Sequence, residues 1–534
     1  MTTADMVIQD ASIWGSADTT IGIRGDRIVP AEVGPSTRVI KASGATVVPG
    51  FQDAHVHAPF AGLNMLRVWL NDAVDRGEYQ QIIAEHVRSN PGSDWITGGG
   101  WAMSAFPGGN PHKADLDAIA PDRPVFLFNR DVHGAWVNSR ALEIAGITAT
   151  TPDPPDGRIE RDPATGEPTG MLHEGAAYAM YERVVPPPSQ AQWRAAILEG
   201  QRHLHSLGVT AWQDAWVTPA TQQAYRSLAE SGELTARVVG ALWWDRHRGL
   251  EQIDELLERS AESAQGFHPT TVKIMIDGVL ENYTGALLEP YCDGCGGHTS
   301  NHGMTFVDAD LLDAAVTSLD RHGLQVHMHA IGDRAVRMGL DAVQAARTAN
   351  GPADNRHHIA HLQVVHPDDI VRFARLGVVA NCQMYWASSD PQMQELTIPF
   401  LGTERAGQQY PFASLQRSGA RLAAGSDWSV STANPLAQIE VGATRVDPSE
   451  RGEAAPFLPT EAIEAGKGIE AFTSGSAYVN HDADGGVLAL GKRADMVLLG
   501  ADITRGLLRS GRGLADVPIN MTIAAGRVVH SGLG

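Results

Sequence analysis

The sequence predicts an α/β fold: a (β/α)8 TIM-like barrel with a small β-sandwich built from both termini and a large insertion after barrel strand 1. Three observations predict it. Eight short apolar or β-branched runs (FQDAHVH, GVTAWQD, ARVVGALWW, TVKIMID, LQVHMH, HHIAHL, GVVANCQM and RLAAGSD) succeed one another along the chain. Most are separated by segments with apolar residues at three- and four-residue spacing, among them AQWRAAILEGQRHLHSLG, DADLLDAAVTSLDRHG, DRAVRMGLDAVQAARTANG and HPDDIVRFARLG, each ending in Gly or Asn as helices do. Residues able to hold a metal sit at the ends of several strand-like runs, where a barrel of this kind carries its chemistry.

Taken in order, residues 1–50 alternate β-type runs (MVIQDASIW, TIGIRGDRIV, RVIKASGATVV) with turns, and the last fifty residues do the same in GKRADMVLLGAD, VPINMTIAAG and GRVVHSG. The expected division is therefore a discontinuous sandwich, 1–50 with 476–534, around a barrel over 51–475. About 150 residues separate the first two barrel strands, far more than a loop needs, so 58–190 is expected to be an inserted subdomain or lid that shapes substrate access.

The 534 residues are 43% hydrophobic and 19% charged, an ordinary globular composition, and carry a formal net charge of -21. That charge repels phosphate backbones, and no basic stripe with interleaved aromatics offsets it, so nucleic acid and anionic membrane are excluded as partners. No run of about 18 apolar residues is present and the amino terminus lacks a signal-peptide pattern. With only Cys292, Cys295 and Cys382, a cytoplasmic protein is expected, and a homodimer on base rates alone. CDGCGGHTSNH has the spacing of half a zinc knuckle, but a mobile, turn-rich loop is the preferred reading.

His55 and His57 end the first run one residue apart, so both imidazoles share a strand face and can reach one cation. Lys273 ends the fourth run beside Met275 and Asp277. His327 and His329 alternate in the fifth, His361 ends the sixth, and Asp427 follows the eighth. A divalent cation needs such nitrogen and oxygen donors converging from several strands. A buried lysine is costly unless paired or modified; Lys273 could pair with Asp277 or another acid, or be carbamylated into a carboxylate that bridges two metals. Asp427, read alone, could simply cap the following helix.

The segments VVPGFQDAHVH, HGAWVNSRALEIAGI, GVTAWQDA, KIMIDGVLENYTGALLEPY, VHMHAIGDRAV, RHHIAHLQVVHPDDI, GSDWSVSTANPL and GKRADMVLL together resemble the amidohydrolase superfamily, in the family 3 branch that includes N-substituted formamide deformylase. The resemblance covers nearly the whole chain. It implies that His55 and His57 bind one metal with Asp427, that His329 and His361 bind a second, and that a carbamylated Lys273 bridges them; zinc is the expected ion, one or two per chain. His327 is expected behind the ligands or in the pocket, because the family motif places its histidine directly before AIGD. Members more often carry a proline and a histidine where this chain reads ANCQMYWASSD, which hints at a more aromatic pocket.

The expected activity is metal-dependent hydrolysis of a C–N bond in a small molecule, an amide, formamide or cyclic amide. An activated water attacks the carbonyl while Asp427 takes its proton and returns it to the leaving nitrogen. Asp427 and Lys273 are the expected catalytic residues. Candidates for substrate contact or oxyanion support are His133, Asn138, Asp277, His327, Tyr385, Trp386 and Trp428, with Trp101 a further aromatic of interest. Ester or carbamate hydrolysis would use the same water. Deaminases of the superfamily rely on a glutamate near the strand-five histidine, which HAIGD lacks. A metal-free scaffold that merely binds is the remaining alternative.

Overall fold

The computed structural model describes residues 3–92, 94–504 and 506–532. Its centre is an eight-stranded parallel sheet rolled into a nearly closed barrel: β1 (Phe51–Val56), β2 (Val209–Val217), β3 (Arg237–Trp243), β4 (Phe267–Met275), β5 (Gln325–Ala330), β6 (His358–His361), β7 (Val379–Cys382) and β8 (Leu422–Ala424). The eight apolar runs of the sequence are these eight strands. Neighbouring strands pair in chain order, and the register sets Lys273 of β4 beside His327 of β5, and Ala330 of β5 beside His361 of β6. Donors from successive strands therefore converge at one rim.

The helices packed outside carry the predicted signals. Gln190–Ser206 starts in a capping box made by Ser189 and Gln192, and Pro367–Leu376 stops at Gly377, whose φ of 69° suits glycine best. Their apolar faces join one core with the strands, including Leu204, Trp212, Leu340, Ile359 and Phe373.

No ladder joins β8 to β1; other bonds close that seam. Asn381 Nδ2 donates to the Ala54 carbonyl (2.9 Å), the Asp427 amide to the His55 carbonyl (2.8 Å), and the His57 amide to the Trp428 carbonyl (2.9 Å). Gly425 packs against His55 here. The barrel interior holds Gln52, Gln213, Thr271, Gln325, His327, His358 and Asn381, all buried, where aliphatic side chains are usual. Such groups are tolerable only when hydrogen-bonded to one another.

Between β1 and β2 lies a second sheet of six strands, in the order Gly157–Arg161, Pro168–Glu174, Gly134–Val137, Val125–Asn129, Ile96–Trp101, Val68–Trp69. It has apolar clusters of its own, around Trp101, Trp136 and Leu127 on one side and Phe126, Phe128 and Leu172 on the other. The two ends of the chain form a four-stranded and a five-stranded sheet that share one core containing Ile8, Ile23, Val47, Met496, Leu498 and Ile523. No helix among the described residues is long and apolar enough to cross a membrane.

Candidate metal centre

His55, on β1, and His57, just beyond its end, reach across the seam to Asp427. His55 Nε2 is 3.2 Å and His57 Nε2 3.0 Å from Asp427 Oδ1, while His361 Nδ1 lies 3.9 Å from Oδ2. One donor atom each from His55, His361 and Asp427 falls within 4.8 Å of the others, and all three residues are buried. Thus His361 stands with the first ligand set as well as beside His329, whose ring is 4.5 Å away centre to centre.

These atoms fit a divalent cation. His361 Nδ1 and Asp427 Oδ1 are buried without hydrogen-bond partners among the described residues. Orphaned polar atoms are costly, and a convergent set of two imidazoles and a carboxylate is the donor chemistry zinc takes. Burial pushes the imidazoles of His55, His329 and His361 well below their ordinary pKa, which keeps them neutral as ligands must be. Burial alone would raise the Asp427 carboxyl, but the His57 ring beside it holds it below the usual value. His329 is oriented from behind, its Nδ1 3.2 Å from Asp277 Oδ1.

Lys273 is buried at the cavity floor, and burial pushes its ammonium down to about 7 against the pull of Asp427 and Asp214. Asp277 does not pair with it. Its carboxylate instead receives the amides of Ala286, Ile331 and Gly332 at 2.9, 3.0 and 2.9 Å, besides His329.

A cavity with about 580 Å³ of empty space, including its open mouth, sits over the donors. Its apolar wall is Phe60, Tyr178, Trp216, Trp243, Met275 and Trp386, and Trp386 stacks on His361 at 5.0 Å and 7°. His133 enters from the insertion. Its Nδ1 lies 3.0 Å from both oxygens of Glu174, which also accepts from Thr284 Oγ1 at 2.8 Å. Burial alone would lower the His133 pKa, but the Glu174 carboxylate overrides it and lifts the imidazole to about 9.

Of the candidate substrate contacts, His133 and Trp386 line the cavity and the others do not. Asn138 caps the helix Ser139–Ala145; its Oδ1 accepts from Ala141 and Val125, and its Nδ2 donates to the carbonyls of Ala120 and Arg123. Asp277 is spent on three amides and His329. His327 lies behind His55, with Nε2 2.8 Å from His55 Nδ1. Tyr385 turns its phenol to Asp447, Trp428 stacks on His203 at 4.6 Å, and Trp101 is buried in the insertion with its indole donating to the Leu127 carbonyl. Sequence reasoning missed Glu174, Asp131, Trp216, Trp243, Phe60 and Tyr178. For Trp216 a signal existed, since it alternates with Asp214 at the end of β2.

The fold and these donors define a metal-dependent hydrolase barrel. The amidohydrolase family pattern matches residues 38–530, and the chain belongs to that family. Among its relatives, Protein LONG AFTER FAR-RED 3 of Arabidopsis thaliana is 31% identical over 93% of this chain and 87% of its own. The putative amidohydrolase YtcJ of Bacillus subtilis is 30% identical over 88% and 86%, and the N-substituted formamide deformylase of Arthrobacter pascens 26% over 88% and 86%. The fold is that of an uncharacterized metal-dependent hydrolase from Pyrococcus horikoshii, with a TM-score of 0.71 at 23% identity over 93% of this chain and 97% of that one.

Proposed function

We propose that the protein hydrolyses a carbon–nitrogen bond in a small, largely apolar amide, with an N-substituted formamide as the favoured substrate, and that zinc is its cation. The orphaned donor atoms of His361 and Asp427 beside an aromatic cavity are the observation that carries this reading. The aromatic wall suits an alkyl or aryl substituent, and the name of the Arthrobacter relative supports the formyl group. A divalent cation held by His55, His57, His361 and Asp427 would polarise the scissile carbonyl and lower the pKa of a water from near 15.7 to roughly 7.

Each remaining step belongs to a side chain. Asp427, ionised and within reach of the cavity, takes the proton of the attacking water and returns it to the leaving nitrogen. His133 lines the cavity while Glu174 holds its Nδ1, so its other ring N–H is the group to donate to the carbonyl oxygen as negative charge develops there. The insertion thus supplies a charged donor to the cavity. A lysine amine poised near neutrality takes up carbon dioxide with loss of a proton, and a carbamate formed on Lys273 would join His329 as a further oxygen donor for a second ion.

The test is a panel of N-alkyl and N-aryl formamides, with amine release measured before and after chelation and after zinc is restored. Chelator-sensitive, zinc-restored release is expected. A zinc-loaded enzyme that cleaves esters but none of the amides would overturn the C–N assignment, and one that cleaves nothing would favour a binding role.

A further inference from the structure

Beneath the metal donors, a chain of hydrogen-bonded side chains crosses the barrel, and its direction can be read from a fixed end. Gln325 donates from Nε2 to the carbonyls of Arg356 and Val479 at 2.8 and 2.9 Å. Carbonyls only accept, so that end of the amide is nitrogen and Oε1 must be the acceptor. It accepts from Thr271 Oγ1 at 2.7 Å and from Gln213 Nε2 at 3.0 Å. Gln213 Oε1 is therefore an acceptor too, and it faces His327 Nδ1 at 2.7 Å and His358 Nε2 at 3.0 Å. Both ring nitrogens must carry hydrogen.

His358 provides a check from the other side. Asn381 donates from Nδ2 to the Ala54 carbonyl and accepts at Oδ1 from Gln383 Nε2 (3.1 Å), so the Nδ2 that faces His358 Nδ1 at 3.2 Å is a donor. A His358 ring with hydrogen on Nε2 and a bare Nδ1 satisfies both neighbours.

His327 is fully buried, and its hydrogen-bond partners are Gln213 and His55 rather than a carboxylate. A neutral ring with hydrogen on Nδ1 has a bare Nε2, which accepts from His55 Nδ1 at 2.8 Å. His55 Nε2 is then bare as well, 3.2 Å from Asp427 Oδ1. Two lone pairs face each other there, an arrangement a cation between them relieves.

We propose that Gln213 is a positioning residue which, through His327, holds His55 in its Nδ1–H tautomer and reserves His55 Nε2 for a divalent cation. The proposal rests on the cation-binding reading above. Without the Gln213 acceptor, His327 is free to move its hydrogen to Nε2. That hydrogen would oppose the one on His55 Nδ1, drive it to Nε2, and place an N–H against Asp427 where the cation belongs.

Two measurements test this. Gln213→Met keeps the length of the side chain and removes the amide; zinc affinity, read by competition with a chromophoric chelator, should weaken about 10- to 100-fold in a variant with the wild-type circular dichroism spectrum. A folded variant whose affinity stays within about twofold of wild type overturns the proposal. Independently of how the variant folds, nitrogen NMR of chelator-treated wild-type protein labelled with ¹⁵N-histidine should show hydrogen on Nδ1 of both His55 and His327. Hydrogen on His55 Nε2 overturns it. A wild type that binds no zinc sinks the cation reading and this proposal together, whereas zinc binding indifferent to Gln213→Met sinks only the tautomer role.

Discussion

Gly425→Ala tests whether the barrel seam sets the geometry of the metal donors. A Cβ at Gly425 would lie 2.5 Å from His55 Cβ and 2.7 Å from the His55 amide nitrogen, where ordinary contact begins at 3.4 Å, so His55 must retreat by 3.4 − 2.5 = 0.9 Å. Both obstacles are close to or part of the backbone, so no rotamer change relieves the clash; β1 itself must move. Overpacking of this kind costs about 1–3 kcal/mol of stability. The local effect is larger than the global one, because Asp427 hangs two residues beyond Gly425 and its amide bonds to the His55 carbonyl. A misplacement near 1 Å at a reacting centre costs on the order of 10²-fold in rate. Thermal unfolding and zinc affinity by chelator competition, measured on the same preparation, give both readings. We expect a modest fall in melting temperature and at least about a tenfold loss of zinc affinity, the lower end of what misoriented ligands cost. Unchanged affinity in a folded Gly425→Ala protein would refute the link between seam and site.

Lys273→Ala should lower the metal content, read by elemental mass spectrometry without added metal, from two equivalents to one; an unchanged count would remove the bridging lysine from the site. In chelator-treated protein, the His133 pKa raised from 6.5 to about 9 makes the His133–Glu174 pair a source of stability that is complete below pH 6.5 and lost as the pH rises through 9. Denaturant titrations should therefore show stability falling over that window, and Glu174→Gln should flatten the fall. Asn138→Ala should cost roughly 1–2 kcal/mol, the usual loss of a helix cap, with kcat and KM for any substrate unaltered once the protein is folded; a change confined to kinetics would return Asn138 to the site.

What the sequence revealed, it revealed through short-range pattern. Strand alternation puts His55 with His57 and His327 with His329 on common faces, and buried parallel strands read as apolar runs, so the barrel and its donors were legible. The distinction between His329 at the cavity and His327 behind His55 was legible only through the AIGD motif. Asn138 and Asp277 misled because polar residues near a predicted rim have two uses, and which backbone groups they satisfy depends on the fold. Glu174 was invisible for the same reason: it meets His133 through the pairing of Gly134 with His173, a contact no local pattern announces. The polar barrel interior was equally hidden, since Gln213 and Gln325 reveal their partnership only when β2 and β5 face each other across the lumen.

The seam has a consequence for assembly. Asp53 receives the amide of Ser426, 373 positions later, and Gln52 reaches Asp482, 430 positions later. Closing a loop of that length costs about 5 kcal/mol in chain entropy on the (3/2)RT ln n estimate. His55 and His57, made early, therefore meet Asp427 only after nearly the whole barrel has been synthesised. The candidate donors His55, His361 and Asp427 thus stand together only in a closed barrel.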